Sequence, residues 1–217
     1  MEELSGHTTA EQRLTEMDDS KQAREASGES GLLPTTSHQI LGPFYPLSKP
    51  SKGGDLTRVD GRPGHAAGQL IYLSGRVLDR TGAPARNAKI EIWQANTHGR
   101  YTHPNDDNPA PLDPCFEGFA VIETDSDGAY SLKTIKPGAY PAGPGRIRPS
   151  HIHFEVFGKR ERFVTQMYFA GDPHHEQDPW LQSSIKQETI VMPIIDPIAG
   201  MEPGAGRVNF DIVLMNG

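Results

Sequence analysis

Short runs of apolar residues, separated by glycine, proline or aspartate, fill the chain from about residue 70 onward. Several runs alternate apolar and polar positions, as in residues 88–96, where Ile90 and Ile92 fall on one face and Glu91 on the other. Alternation with a period of two residues is typical of a β-strand. The runs predict eight short strands, at residues 70–79, 88–96, 119–125, 129–135, 151–158, 162–171, 189–195 and 207–214.

This strand series predicts an all-β fold, an antiparallel β-sandwich of about eight strands. The 23 glycines and 19 prolines agree with a fold that has many turns. One long loop, residues 97–118, interrupts the series, and loops of that length are usually functional when they are ordered. We therefore expect a β-sandwich domain over residues 37–217 that carries long active-site loops.

The first 36 residues have a different character. They are rich in serine, threonine and glutamate and contain few large apolar residues. Such a segment buries too little apolar surface to offset the entropy lost on ordering. Residues 1–36 are therefore predicted to be a polar extension outside the sandwich.

Charge and cysteine content restrict the classes of partner and compartment. The formal net charge is −7, and no basic run interleaved with aromatic residues occurs, which argues against a nucleic-acid partner. Cys115 is the single cysteine, so no internal disulfide framework is expected. No apolar run reaches the length of a membrane span, and the first residues do not resemble a secretory signal. These features predict a cytoplasmic protein that does not bind a membrane.

Candidate chemistry begins with two histidines in a predicted strand. Residues at positions i and i+2 of a strand point to the same face, so His151 and His153 present their imidazoles to one point. This pair is suited to zinc, copper or iron, although two surface histidines remain an alternative at this stage. A second pair, His174 and His175, lies in a polar loop and is interpreted as exposed.

Three further residues flank the histidine pair. Arg148 lies just upstream of it, Tyr140 follows a Pro-Gly turn, and Tyr101 begins the long loop. Taken singly, each tyrosine is more typical of an amphipathic residue at the edge of a core. Their significance depends on the motifs in which they occur together.

Those motifs are GRY, KPGAYP and RPSHIHF, which occur in this order after the run GRVLDRTGAPARNAKIEIWQANTH, with LGPFYP further upstream. In these segments the chain resembles the intradiol ring-cleavage dioxygenases, most closely the iron-binding, β-type chains of protocatechuate 3,4-dioxygenases. The resemblance covers most of residues 70–173 and the C-terminal strand. The combination of motifs is far more specific than any one of them.

The resemblance implies an enzyme that uses Fe(III) and O2 to cleave a catechol between its two hydroxyls, giving a cis,cis-muconate. It implies that Tyr101, Tyr140, His151 and His153 bind the iron, and that Tyr140 leaves the metal to take a substrate proton. Arg148 matches the arginine that stabilises charge developing on the ring. Phenolate oxygen is a hard anionic ligand and agrees with ferric iron.

Gln166 matches a glutamine that orients this arginine. The resemblance also indicates the wall of the substrate pocket. Tyr45, Pro104, Ala142 and Ile147 are candidate substrate-binding residues. Ala142 and Ile147 replace residues that are aromatic in β-type chains, which predicts a more open pocket. We expect a substituted catechol, with protocatechuate first and hydroxyquinol or another substituted diol next.

The assembly and the competing interpretations follow from the same comparison. Only about 40 residues precede LGPFYP, which leaves no room for the helical dimerisation domain of catechol 1,2-dioxygenases. We expect an oligomer, formed either by this chain alone or with an α-type chain.

The opening GRVLDRTGAPARNAKIEIW also occurs in transthyretin-like sandwiches that bind without catalysis. A zinc or copper protein would use the two histidines but leave the two tyrosines unexplained.

Overall fold

Two β-sheets carry the described part of the chain, which covers residues 31–47, 49 and 53–217 of the computed structural model. These residues form eleven strands: β1 (Leu70–Asp79), β2 (Lys89–Trp93), β3 (Phe119–Glu123), β4 (Ala129–Ile135), β5 (Tyr140–Pro141), β6 (Ile147–Arg148), β7 (His151–Phe157), β8 (Arg162–Phe169), β9 (Val191–Met192), β10 (Gly206–Asn209) and β11 (Ile212–Leu214). They also form one short helix, α1 (Pro179–Gln182), between two 3-10 turns, His175–Gln177 and Gln187–Thr189.

The strands pair into one sheet of four strands and one of five. In the first sheet, β1 pairs antiparallel with β4 on one edge and parallel with β10 and then β11 on the other. The second sheet has the order β3-β2-β7-β8-β9, in which the β8–β9 pairing is parallel. Strands β5 and β6 form a separate antiparallel ladder. The predicted all-β sandwich is confirmed, with the C-terminal strands paired parallel to their neighbours.

The core lies between the two sheets because each contributes the apolar side of its alternating strands. From β1, Ile71, Leu73 and Val77 are buried while Ser74 and Arg76 face solvent. The second sheet buries an equivalent set in the same cluster. That set includes Ile90, Ile92, Ile152, Phe154, Val156 and Phe163. The burial of apolar area on these alternating positions is the main stabilising contribution to such a sandwich.

Two strands predicted from the sequence change most in the structure, while four others are only shortened at their ends. The run 207–214 is split into β10 and β11, because Phe210 turns toward β1 and donates its N–H to the carbonyl of Ser74. A Cβ on Gly75 would lie 1.9 Å from the carbonyl oxygen of Phe210, so this crossing requires glycine. The run 189–195 keeps only the two residues of β9, since Pro193 has no N–H to extend the ladder.

The N-terminal extension predicted over residues 1–36 lies outside the described residues as far as residue 30. From Pro34 onward the chain forms one compact unit. There, the backbone of Thr36 pairs with Val213, whose N–H is also accepted by the Thr36 hydroxyl at 2.8 Å. Across the described ranges, none of the helical segments has the length and apolar character needed to span a bilayer.

Candidate metal centre and its arginine network

His151 and His153 begin β7 and are both 2% exposed. Because they are two residues apart in a strand, their side chains project from the same face, the face opposite the core. Their Nε2 atoms are 3.1 Å apart. The indole of Trp93, from the neighbouring strand β2, stacks on the His153 ring with centroids 4.8 Å apart and planes at 9°. The two imidazoles are therefore fixed in a buried, well-packed position.

Tyr101 reaches this position through a tight turn after β2. The Asn96 side chain accepts the N–H groups of His98 and Arg100, and the turn includes Gly99 with φ of +77°. The Tyr101 N–H is held by the Asp106 carboxylate at 2.7 Å. As a result, the Tyr101 hydroxyl lies 3.1 Å from Nε2 of His153 and 3.4 Å from Nε2 of His151.

Tyr140 is the first residue of β5, and its ring lies beside that of His151. The preceding Gly138 lies so close to the turn at Gly99 that a Cβ on it would be 2.5 Å from the carbonyl oxygen of Thr97. Tyr140 packs perpendicular to Tyr101, with ring centroids 5.5 Å apart, and its centroid is 5.6 Å from that of His151. The structure thus brings all four predicted metal-binding residues together.

The donor chemistry of this group fits a ferric ion. Nδ1 of His151 lies 2.7 Å from the carbonyl oxygen of Pro149, so Nδ1 carries the proton and Nε2 offers its lone pair to the shared point. Burial, followed by the charge of Arg148, lowers the pKa of both histidines well below the usual value, which keeps them neutral. Neutral imidazole is the form that binds a metal.

The pKa values of the two phenols also bear on the metal that would fit this site. Burial raises the pKa of Tyr101 well above its usual value, and it raises that of Tyr140 although Arg148 lowers it in part. Two buried phenols therefore ionise only beside a strong positive charge, such as a trivalent metal ion. No group of three or more His, Cys, Asp or Glu side chains in the described ranges is arranged to bind a metal. A metal at this position would thus require the tyrosines as ligands.

Arg148 adjoins the four donors and is held by hydrogen bonds on two of its nitrogens. Nη2 donates to Oε1 of Gln166 and to the hydroxyl of Tyr168, both at 2.8 Å. Nε donates to Oδ2 of Asp178 at 2.7 Å. Trp180 covers the guanidinium, with its ring centroid 4.5 Å from Cζ. The contact between Arg148 and Gln166 is the one expected from the sequence.

The network continues into the N-terminal segment of the domain. Nε2 of Gln166 donates to the carbonyl of Ile40 at 2.7 Å, and the Tyr168 hydroxyl lies 3.0 Å from Oε1 of Gln39. Gln39 in turn donates to the carbonyl of Trp180. Residues 39–40 and the loop that carries α1 therefore enclose Arg148 from two directions.

The four candidate pocket residues differ in their positions. Ala142 is partly buried against the cluster that contains Tyr101 and Tyr140. Tyr45 packs edge-on against Trp93. Its hydroxyl donates a hydrogen bond to Glu91 and so is directed away from the four candidate metal ligands. Pro104 is exposed. Ile147 is 41% exposed, because it alternates with Arg148 along β6 and so faces the other side of the ladder.

Several residues of the site were not predicted from the sequence. Phe44 packs on Tyr101 with ring centroids 4.8 Å apart, and it also contacts Tyr140 at 6.4 Å. Tyr168, Asp178 and Trp180 surround Arg148. The order Asp178-Pro179 is an N-cap followed by proline at the first helical position, a signal for a helix start. That signal could have located α1, but it gives no indication of contact with Arg148.

A separate cavity of about 570 Å³ opens between β3 and β4. Its lining includes Val121, Glu123, Asp125, Ala129 and Tyr130, and it contains none of the four donors. It is therefore distinct from the candidate metal centre.

A β-sandwich with two buried phenols and two buried imidazoles converging beside an arginine defines a candidate non-haem metal protein. The family model described as Dioxygenase matches residues 40–216. The chain belongs to this family, the intradiol ring-cleavage dioxygenases.

Similar proteins carry several different names. The protocatechuate 3,4-dioxygenase beta chain of Burkholderia cepacia is 50% identical over 134 residues, 60% of this chain and 57% of that one. The catechol 1,2-dioxygenase of Acinetobacter baylyi is 36% identical over 68% of this chain and 50% of its own length. The hydroxyquinol 1,2-dioxygenase of Nocardioides simplex is 30% identical over 88% of this chain and 66% of its own length. The matches thus span between half and two thirds of these relatives.

A solved structure shares the fold. The crystal structure of catechol 1,2-dioxygenase from Pseudomonas arvilla C-1 superposes with a TM-score of 0.66 at 26% identity. The alignment covers 93% of this chain and 68% of that chain. The architecture of the sandwich is therefore the one found in this family.

Proposed function

We propose that this protein is a non-haem Fe(III) dioxygenase that cleaves a catechol between its two hydroxyls with O2, giving a cis,cis-muconate. The observation that carries the proposal is the convergence of Tyr101, Tyr140, His151 and His153 on one buried point beside Arg148. Two neutral imidazoles and two phenols that need a positive charge to ionise suit ferric iron. The same donor set is a poor match for zinc, which binds mainly cysteine, histidine and carboxylate.

Ferric iron held by Tyr101, Tyr140, His151 and His153 would supply a Lewis-acidic centre that makes a bound catechol reactive toward O2. The residues of the chain then have separate roles. His151 and His153 would bind the metal ion through Nε2. Tyr140, in its phenolate form, accepts one of the two hydroxyl protons of the substrate at Oη. Burial raises the pKa of Tyr140, and the positive charge of Arg148 lowers it in part, which favours that phenolate.

Arg148 also stabilises negative charge that develops on the ring as the substrate is deprotonated. It is suited to this role because its guanidinium is nearly enclosed and held in one orientation. Gln166 fixes that orientation by accepting from Nη2 while donating to the carbonyl of Ile40. A fixed donor avoids the reorganisation that a mobile side chain would need during the reaction.

For the substrate, we propose a substituted catechol, with protocatechuate first and hydroxyquinol or another substituted diol second. Support comes from Ala142, a small residue that packs against the tyrosine cluster and leaves volume for a ring substituent. The relatives named for protocatechuate, catechol and hydroxyquinol agree with a catechol-type substrate but differ in its identity. The proposed assembly is an oligomer, either of this chain or with an α-type chain.

Two measurements on the purified full-length protein test the proposal. Elemental analysis and visible absorption are expected to give about one ferric iron per chain and a burgundy colour from tyrosinate-to-iron charge transfer. Oxygen uptake is then measured with catechol, protocatechuate, hydroxyquinol and alkyl- or halo-catechols. Stoichiometric zinc in a colourless protein would contradict the metal assignment. A yellow semialdehyde product, formed by cleavage adjacent to the diol, would contradict the intradiol assignment.

A further inference from the structure

The side chain of Arg148 is only 4% exposed, yet it carries a full positive charge. A buried cation is costly unless an anion and hydrogen bonds compensate it. Among the described residues, Asp178 is the carboxylate hydrogen-bonded to Arg148, and its own side chain is 0% exposed. This ion pair is therefore the element that makes a buried guanidinium tolerable beside the metal donors.

Asp178 has a second contact that fixes its own position. Its Oδ1 accepts the N–H of Leu181 at 2.8 Å, which caps the first turn of α1. A helix of four residues is not stable by itself, so α1 depends on this cap and on its contacts with the rest of the domain. Leu181 is fully buried and fixes the helix against the domain. The carboxylate of Asp178 is thus held rigidly between α1 and Arg148.

The distribution of hydrogen bonds leaves one edge of the guanidinium for another use. Within the described residues, the donors on Nε and Nη2 are taken by Asp178, Gln166 and Tyr168. The donors on Nη1 are not engaged by these three residues. Arg148 is directly opposite Tyr140 in the β5–β6 ladder, so the two side chains lie on the same face.

We propose that Asp178 is a positioning residue for ring cleavage, which holds the guanidinium of Arg148 by an ion pair at Nε so that Nη1 is presented beside Tyr140. This inference rests on the proposed function, because the orientation of Arg148 matters only if the reaction takes place at the four donors. Asp178 does not touch the substrate or the metal donors. Its effect passes entirely through Arg148.

Two substitutions keep the helix cap while weakening the contact with the arginine. Asp178→Asn removes the charge, and Asp178→Ser is too short to reach Nε, but both side chains cap helices well. In the iron-loaded full-length protein, each is expected to lower kcat by about 10- to 100-fold with KM little changed. The matched control is Glu176→Gln, which removes the same charge from an exposed position in the same loop. Its kcat is expected to stay within about twofold of the unsubstituted protein.

A double-mutant cycle separates positioning from a general structural effect. If Asp178 acts through Arg148, adding Asp178→Asn to Arg148→Ala lowers kcat by less than about twofold. Iron content and charge-transfer absorption of Asp178→Asn and Asp178→Ser are expected to match those of the unsubstituted protein, because no metal donor is altered. If Asp178→Asn fails to fold, Asp178→Ser replaces it in the cycle.

Three results would overturn the inference. The first is a kcat for both Asp178 variants equal to that of Glu176→Gln. The second is a full additional loss when Asp178→Asn is combined with Arg148→Ala. The third is loss of iron or of its absorption in both Asp178 variants, which would place the effect on the metal site. A protein without iron and without oxygen uptake before any substitution would instead refute the proposed function.

Discussion

Gly42 and His153 are packed so closely that a Cβ on residue 42 would lie 3.0 Å from Cε1 of the imidazole. Gly42 also has φ of +78°, a conformation that favours glycine. Trp93 stacks on the same imidazole. The segment around Gly42 therefore helps to fix a proposed metal ligand, although it lies more than a hundred residues away in the sequence.

Gly42→Ala is expected to perturb both stability and the metal centre. The positive φ alone costs about 1–2 kcal/mol for a residue with a Cβ. The added methyl group also pushes on His153, which should lower iron content and weaken the charge-transfer absorption. The matched control is Gly61→Ala, at φ of +75° with no atom within 4 Å of the new Cβ. Equal iron content in the two variants would show that the contact with His153 has no effect on the metal.

The position of Tyr45 leads to a prediction about its role. Its hydroxyl donates to Glu91, and its ring packs edge-on against Trp93. Tyr45→Phe should therefore lower the free energy of unfolding, by about 1.5–3 kcal/mol for a hydrogen bond to a charged group. KM for the best catechol should be unchanged. Unfolding by urea and steady-state kinetics provide the two measurements, and a raised KM with unchanged stability would instead support the prediction that Tyr45 binds the substrate.

Glu91 should contribute a pH-dependent part of the stability. Burial alone would raise its pKa, but hydrogen bonds from Lys49 and Lys89, both at 2.8 Å, lower the pKa of Glu91 from 4.5 to about 2. Because the pKa is lower in the folded state than in the unfolded state, the native protein favours the ionised carboxylate. The resulting stabilisation is present above pH 4.5 and is lost as the pH falls toward 2.

Glu91→Gln is expected to remove this dependence. Near neutral pH it should lower the free energy of unfolding by about 1–3 kcal/mol, since the two half-exposed lysines are partly screened by water. The decline in stability between about pH 5 and pH 3 should become shallower than in the unsubstituted protein. Urea unfolding at several pH values from neutral down to about pH 3 tests both expectations, with Glu176→Gln as the control. Parallel stability curves for Glu91→Gln and the unsubstituted protein would contradict the assignment.

The sequence predicted those parts of the structure that depend on local patterns. Strands β1 and β4 have the predicted bounds because turns delimit them and alternation continues along their length. The split at Phe210 was missed because it depends on a crossing with Gly75, which belongs to another strand. Such a contact leaves no trace in the periodicity of either segment.

The residues of the candidate site also divide into those that local sequence patterns predict and those that depend on long-range contacts. The four donors and Arg148 lie in short motifs, so the sequence indicated them together. Asp178 and Trp180 contact Arg148 from about thirty residues further along the chain. Nothing in the local sequence of that loop indicates which buried cation it pairs with. Phe44 lies in the motif LGPFYP, but its contact with Tyr101 depends on how the segment folds over the sheet.

Ala142 provides the prediction about substrate choice. It follows Tyr140 by two residues and packs against the cluster of Trp93, Tyr101 and Tyr140. A bulky side chain at this position would occupy volume next to the proposed metal donors. Ile147, in the same hairpin, is 41% exposed and alternates with Arg148, so it faces away from them. The hairpin thus offers one residue directed toward the donors and one directed away.

Ala142→Phe should lower kcat/KM for protocatechuate and hydroxyquinol by at least about tenfold, because a steric mismatch in a pocket discriminates by this amount or more. Plain catechol, which has no substituent to clash, should lose less. Ile147→Ala is expected to leave the order of preference among the three substrates unchanged. Oxygen uptake over a range of concentrations of each substrate gives the constants. An equal loss for all three substrates, or a preference of the unsubstituted protein for plain catechol over every substituted one, would refute a pocket whose selectivity depends on the space at Ala142.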